Sequence, residues 1–193
     1  MIPLTAQGRI EIERKFLVLD DGWRASVTSR RRYRQGYLLK TRGCSVRVRR
    51  WAANATLTVK TPRQGIIRAE FEYSIPLDDA EDMLRRLCAQ PLIEKTRHFL
   101  EHAGLTWEVD VYQGAAAGLV VAEVELDRPD QPLLLPEWIG AEVTHDRRFR
   151  NSAIGRGAWR KAKLRRPKAS VDRMGTALTP PAPALVLVSA RGL

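Results

Sequence analysis

Apolar and charged or polar residues alternate along most of the first 127 positions, at the two-residue period of a β-strand. Residues 10–18, 32–40, 45–51, 56–61, 67–75, 93–100, 106–112 and 119–127 each read as a strand. Ala53-Asn54 sets a hairpin turn between the third and fourth, and Gly104 sets another between 93–100 and 106–112. Pro62 and Gly65 mark a loop. The period changes once. After Pro76, Asp78-Asp79 reads as a helix cap, and Ala80, Met83, Leu84 and Leu87 fall at i, i+3, i+4 and i+7, the apolar stripe of an amphipathic helix that Pro91 closes. Gly114 to Gly118 reads as a small-residue loop, and Pro129, Pro132 and Pro136 interrupt the segment after the last strand. Asn151 reads as the cap of a terminal helix carrying Ile154, Trp159 and Leu164. About eight strands with one embedded helix predict an α+β, mainly β, domain built as an antiparallel barrel or sandwich.

The charges within these strands are sorted by sign. Glu11 and Glu13, Arg47 and Arg49, Glu70 and Glu72, Lys95 and Arg97, Glu108 and Asp110, and Glu123 and Glu125 are pairs two residues apart, with Lys15 following the first pair and Lys60 alone on its strand. Each pair projects from one face of its strand, while Val48, Phe71, Val109 and Val124 occupy the other. In a half-solvated sheet that charged face simply looks at water. Like charges two apart on a solvated face gain nothing, however, and the segregation of sign by strand points to a shared space. Lining one lumen with so many charges is costly unless each finds a partner. A divalent metal and a polyphosphate chain supply such partners.

Composition narrows the class. The chain has 193 residues and a net charge of +11. Residues 163–193, rich in Pro, Ala and Arg, carry nearly half of that excess and read as a disordered basic tail on a domain spanning 1–162. Two cysteines, Cys44 and Cys88, define neither a disulfide framework nor a zinc site. No secretory signal and no apolar run long enough to span a bilayer is present, so a soluble cytoplasmic protein without a membrane partner is expected.

The sequence resembles the CYTH family, also called triphosphate tunnel metalloenzymes. Glu11-Ile12-Glu13-Arg14-Lys15 matches its ExExK opening, and the match continues in order. Gln35-Gly36-Tyr37-Leu38, Arg47-Val48-Arg49, Leu57-Thr58-Val59-Lys60, Glu70-Phe71-Glu72, Glu94-Lys95-Thr96-Arg97, Glu108-Val109-Asp110-Val111, Glu123-Val124-Glu125 and Glu142 to Asp146 all fall in place. The resemblance covers roughly residues 8–162 and is greatest to short bacterial members acting on inorganic triphosphate.

The resemblance implies an eight-stranded antiparallel β-barrel, a tunnel with a charged lumen and a few flanking helices. It implies a small-molecule triphosphate substrate and a divalent cation, Mg2+ or Mn2+. By motif, Lys15, Arg47, Arg49, Lys60, Lys95 and Arg97 contact phosphate oxygens, and Glu11, Glu13, Asp110, Glu123 and Glu125 form the metal side. Glu70 and Glu72 hold a second metal or pair with the arginines. Lys95 is the candidate catalytic residue, positioning or deprotonating the attacking water, with a plain phosphate clamp as the alternative. Hydrolysis of inorganic triphosphate to pyrophosphate and phosphate is the leading reading. Thiamine triphosphatase or class IV type adenylate cyclase activity is the alternative within the family, and a non-enzymatic polyphosphate- or RNA-binding module the alternative outside it. No specific nucleic-acid partner is expected, and monomer and homodimer stay open. His98 is expected to face outward, Trp51, Trp107, Trp138 and Trp159 to be packing groups, and Arg30-Arg31-Arg32 and Arg147-Arg148 to be surface charge.

Overall fold

The computed structural model describes residues 9–161; the expected basic tail and Leu164 lie outside the described residues. Nine strands form one antiparallel sheet: β1 (Arg9–Val18), β2 (Val27–Lys40), β3 (Ser45–Trp51), β4 (Asn54–Lys60), β5 (Ile67–Ser74), β6 (Ile93–His102), β7 (Leu105–Tyr112), β8 (Val120–Glu125) and β9 (Ile139–Glu142). Helices α1 (Leu77–Arg86) and α2 (Asn151–Ile154) flank it. The order is β5-β4-β3-β2-β6-β7-β8-β1-β9, and an additional β5–β1 pairing closes the first eight strands into a barrel. Closure removes the exposed sheet edges that an open sheet of this length would present.

Closure runs through β1. One edge pairs with β8 from Glu13↔Glu125 to Leu17↔Val121. The other edge is shared: Arg9 to Ile12 pair with β5, and Phe16 and Val18 pair with β9. Between those stretches the seam is stitched by single bonds from loops, with Glu13 N donating to Ile66 O at 3.4 Å and Val143 N donating to Lys15 O at 2.8 Å.

The apolar core lies outside the barrel wall. The alternation in β1 turns Glu11, Glu13 and Lys15 inward and Ile12 and Phe16 outward, where they pack with Trp23, Trp107, Val109, Val124 and Trp138. A 3-10 turn at Gly22–Ser26 and the segment from Leu126 to Ile139 cover this face. Helix α1 lays Ala80 and Leu84, both 0 % exposed, over Val48, Ala55 and Leu57 of the β3–β4 hairpin. Each large side chain so buried stabilises the fold by about 1.5–3 kcal/mol. Gly36 makes this packing possible. A Cβ there would meet Cys88 Cβ at 2.6 Å and Leu92 Cδ2 at 2.8 Å.

Several expectations change in detail. The α1 N-cap is Pro76 without a side-chain cap bond; Asp78 and Asp79 fall in the first turn, where their charges favour the helix dipole. The terminal helix is short: α2 ends at Ile154, Gly155 follows, Gly157 takes a left-handed φ of 72°, and a 3-10 turn at Ala158–Lys161 carries Trp159. Strand β2 begins at Val27, well before residue 32, because β6 supplies a pairing partner for its polar start. Cys44 and Cys88 are free thiols. Among the described residues no helix is long and apolar enough to cross a membrane.

Candidate active site

The strand period and the register bring the sorted charges together in the lumen. Across the β1–β8 ladder Lys15 lies opposite Glu123 and Glu13 opposite Glu125. Across β6–β7 Arg97 lies opposite Asp110, and across β4–β5 Lys60 lies opposite Glu70 and Thr58 opposite Glu72. Glu11, Glu13, Lys15, Arg47, Lys60, Lys95, Arg97, Asp110 and Glu123 are all buried, with Arg49, Glu70, Glu72, Glu108 and Glu125 facing the same space at intermediate or greater exposure. All the residues assigned from sequence to phosphate and metal therefore converge in one barrel interior.

Many of these charges already hold partners. Glu11 accepts from Lys60 Nζ at 3.0 and 3.1 Å and from both sides of the Arg68 guanidinium. Burial opposes its ionisation, but the Arg68 hydrogen bond and the Lys60 charge prevail and hold its pKa down at about 2. Glu123 lies 2.5 Å from Lys15 Nζ and accepts from Arg97 Nη2 at 2.6 Å. Burial disfavours its charge, and Lys15 and Arg97 reverse this, holding it well below the usual carboxylate range. Glu13 takes Arg63 Nη2 at 2.9 Å, with Lys15 and Arg68 each 3.6 Å away.

Asp110 is 0 % exposed and is gripped by Lys95 Nζ and by Arg97 at 2.8 and 2.7 Å. Lys95 is also fully buried, beneath the Tyr112 ring, and lines neither cavity of the tunnel. Burial and the nearby Arg97 guanidinium push its pKa down to about 8, against the pull of Asp110 and Glu123.

Other charges are crowded by their own kind. Burial and then Arg49 push the Arg47 pKa down to about 10. The Nε atoms of both arginines, the Gln35 side-chain amide and Thr56 Oγ1 are buried without a hydrogen-bond partner among the described residues. Arg49 stacks over Tyr33 at 5.0 Å, and no carboxylate of the described residues forms an ion pair with it. On the opposite wall, burial raises the pKa of Glu108 against the pull of Arg97, with Glu123 and Asp110 adding to the rise. Burial and the charges of Glu108, Glu11, Glu13 and Glu70 raise that of Glu125. Arg47 Nη2 lies 3.7 Å from Glu70 and 3.6 Å from Glu72, so these two glutamates pair with an arginine, and Arg97 pairs with Glu108. Arg49 and Glu125 form no ion pair with any described residue.

The two halves of the tunnel differ in charge. A cavity of about 600 Å³ is lined by nine cations, among them Lys15, Lys40, Arg63, Arg147 and Arg150, against the carboxylates of Glu13 and Asp146. A second cavity of about 470 Å³ is lined by seven carboxylates and five cations. Glu13, Arg47, Lys60 and Arg68 line both, so the cavities meet back to back.

Among the described residues, no three carboxylate-, thiol- or imidazole-bearing side chains converge as a ready metal site. The reason is visible in the contacts: Lys15, Lys60, Arg63, Arg68 and Arg97 occupy the oxygens of Glu11, Glu13 and Glu123. The donor set is all oxygen, as magnesium and manganese prefer. Glu125 forms no ion pair with any described residue.

Three residues of this site carry no role in the sequence-based assignment. Glu108 shares the inward parity of Asp110, and Arg68 that of Glu70, so both are available from the period alone. Arg63 sits on the β4–β5 loop, where no period exists. His98 faces outward as expected, stacked edge-on against Trp23 at 4.9 Å, and Trp107 and Trp138 are packing groups 5.7 Å apart. Arg30, Arg31 and Arg32 are exposed.

A closed antiparallel barrel with an outer apolar layer and an ion-paired lumen defines a tunnel protein. The chain belongs to the CYTH domain family, whose profile matches residues 9–154. It is 42% identical over 153 residues to an inorganic triphosphatase of Acetivibrio thermocellus, covering 79% of this chain and 97% of that protein. It is 36% identical over 150 residues to an inorganic triphosphatase of Nitrosomonas europaea, covering 75% of this chain and 95% of that protein. Among solved structures, the inorganic triphosphatase NE1496 superposes with a TM-score of 0.55 at 35% identity, over 75% of this chain and 97% of that one.

Proposed function

We propose that the protein is a divalent-metal-dependent hydrolase that cleaves inorganic triphosphate (tripolyphosphate) to pyrophosphate and phosphate. The observation that carries this is the juxtaposition, in one lumen, of Arg49, with a buried unpartnered Nε and no ion pair among the described residues, and Glu125, which likewise forms none and sits opposite Glu13. A neutral ligand relieves neither. A polyphosphate carrying a divalent cation relieves both. The identities to two inorganic triphosphatases support the choice of substrate.

The residues divide by neighbourhood. Arg47 and Arg49 bind phosphate oxygens, their planar forks matching the geometry of the phosphate. Lys15, Lys60 and Arg97 stand between the two groups and serve both, each already touching a carboxylate while facing the cavity. Glu13, Glu123 and Glu125 are the residues that would hold Mg2+ or Mn2+, with Glu108 and Glu11 beside them. When bound, the metal supplies charge neutralisation on the phosphate oxygens and a water of lowered pKa. Water attacks the terminal phosphorus, the bridging P–O bond breaks, pyrophosphate leaves as the oxyanion that Arg47 and Arg49 stabilise, and the water's proton passes to solvent or to the released phosphate.

Asp110 and Lys95 have a positioning role. Asp110 gives its oxygens to Lys95 and Arg97, and so fixes the Arg97 fork beneath the cavity. Lys95 adds a positive charge behind that fork without reaching the cavity.

The basic cavity would favour phosphate charge and the acidic one, which also presents Arg47 and Arg49, would favour the metal and the phosphate it carries. A phosphate-release panel of tripolyphosphate, pyrophosphate, ATP and thiamine triphosphate, each with EDTA, Mg2+ or Mn2+, tests the reading. Tripolyphosphate turnover that requires metal and exceeds that of the other three is expected. Metal-independent turnover, or a preference for ATP with cyclic AMP as product, overturns it.

A further inference from the structure

Among the described residues, Arg63 is the one cation in contact with a lumen carboxylate that comes from a loop. The β4–β5 loop is pinned at its tip, where Gln64 N donates to Ile67 O at 2.8 Å and Ile67 N donates to Gln64 O at 3.1 Å, and Gly65 takes the left-handed φ of 65° that this bend requires. The backbone is thus held while a long side chain projects from it into the basic cavity. Its guanidinium reaches Glu13 Oε1 through Nη2 at 2.9 Å. Arg68, by contrast, engages Glu11 through two of its nitrogens at once.

Glu13 is shared by more cations than it can satisfy. Arg63, Lys15 and Arg68 all lie within 3.6 Å of its oxygens, and the three repel one another. Arg63 also faces Arg150 across the cavity, and Arg147 adds to that field. Removing one cation from Glu13 therefore relieves repulsion, and an anion in the cavity gives that cation a better partner. Glu13 stands opposite Glu125, the carboxylate that has no cation of its own.

From this we propose that Arg63 is a substrate-binding residue that exchanges Glu13 for a phosphate oxygen, and that the exchange frees Glu13 for the divalent cation. Triphosphate and metal then bind with positive coupling. Without triphosphate, Arg63 competes with the metal; with it, the same side chain holds phosphate and the carboxylate rung of Glu13 and Glu125 is open. Coupling of this kind is reciprocal, so metal also strengthens triphosphate binding. The inference rests on the triphosphatase reading for the identity of the anion, but the competition between Arg63 and metal does not depend on it.

The test compares wild type with Arg63→Gln and Arg63→Lys. Mn2+ binding is followed by electron paramagnetic resonance without any phosphate, and tripolyphosphate binding by calorimetry in EDTA, where no turnover occurs. Arg63→Gln is expected to bind tripolyphosphate about tenfold more weakly and Mn2+ alone at least about threefold more tightly, the opposed signs expected when one charged hydrogen bond changes hands. Arg63→Lys keeps the charge without the fork and falls between. Unchanged affinity for either ligand, or loss of both together, overturns the proposal and leaves Arg63 as a structural partner of Glu13. Failure of the triphosphatase reading shows itself separately, as absence of phosphate release by the wild type at saturating Mn2+. The Mn2+-only measurement still reports on Arg63 in that case.

Discussion

Glu13 on β1 sits directly across the ladder from Glu125 on β8, so two carboxylates share one rung of the wall and both turn inward. Like charges directly opposite destabilise a sheet. The rung is tolerable because Arg63 and Lys15 lean on Glu13 and because a cation can be recruited to Glu125.

The first prediction concerns that rung and pH. Burial and neighbouring carboxylates raise the folded-state pKa of Glu125 above the 4.5 of an unperturbed glutamate. The folded protein keeps a proton that the unfolded chain has already released, so metal-free stability falls as pH rises from about 4.5 through the folded value. Mn2+ replaces that proton, and its stabilising effect grows over the same window. Melting temperature against pH, in EDTA and in Mn2+, is expected to show this, with Glu125→Gln flattening both trends. A metal response in Glu125→Gln equal to that of wild type contradicts the assignment.

Arg49 separates binding from folding. Its guanidinium has no ion pair among the described residues and crowds Arg47. Arg49→Ala is expected to weaken tripolyphosphate binding about tenfold or more, the cost of one charged hydrogen-bonding partner. It leaves ligand-free stability unchanged or higher. Calorimetry and thermal melts measure the two effects, and a marked fall in melting temperature argues for a structural arginine.

Asp110 behaves in the opposite way. It is fully buried between Lys95 and Arg97. Asp110→Asn leaves two buried cations short of a counter-charge and is expected to cost about 3–5 kcal/mol of stability. Chemical denaturation checks this, and a loss of activity without a loss of stability assigns Asp110 to the metal.

Lys95 has a pKa pushed down to about 8 from the unperturbed 10.5. A depressed pKa means that the folded state favours the neutral amine, so stability falls as pH drops from 10.5 to about 8 and the loss is complete below that. In catalysis, losing that charge weakens the field behind Arg97. KM for tripolyphosphate is therefore expected to rise above pH 8 while kcat stays level, with Lys95→Arg removing the inflection. A kcat that climbs through pH 8 and loses this rise in Lys95→Ala assigns Lys95 as the base.

Gly36 gives a structural control outside the lumen. An added methyl collides with Cys88 and Leu92 in the segment that follows α1. Gly36→Ala is expected to cost about 1–3 kcal/mol through overpacking, with KM unchanged in the folded fraction. A stable Gly36→Ala variant shows that the segment carrying Cys88 and Leu92 gives way to the added methyl.

The barrel is legible in the sequence where burial differs sharply between two faces. In β1 the inward Glu11, Glu13 and Lys15 alternate with outward Ile12 and Phe16, so two periodicities agree. They part in two places. After Val27, residues 28–32 of β2 are polar on both faces and exposed, and β6 holds them extended. Strand β9 is four residues long and comes after three prolines, too short to show a period of its own.

Within the site, parity locates the inward charges but not their partners. The family motif implies that Asp110 stands with Glu123 and Glu125 on the metal side, and the β6–β7 register, which parity does not give, sets it opposite Arg97 and beside Lys95. Arg63 gives no signal because a loop side chain has no face until the chain is folded.

The divided edge of β1 has a mechanical consequence. A ring of strands laced by continuous ladders keeps its girth, but on one edge of β1, between its β5 and β9 pairings, the link falls to single bonds, from Glu13 to Ile66 and from Lys15 to Val143 and Thr144. Widening of the bore is expected to concentrate there. Arg63 and Thr144 border that line, so a wider or longer guest is expected to load the loops that carry them before it loads the continuous ladders.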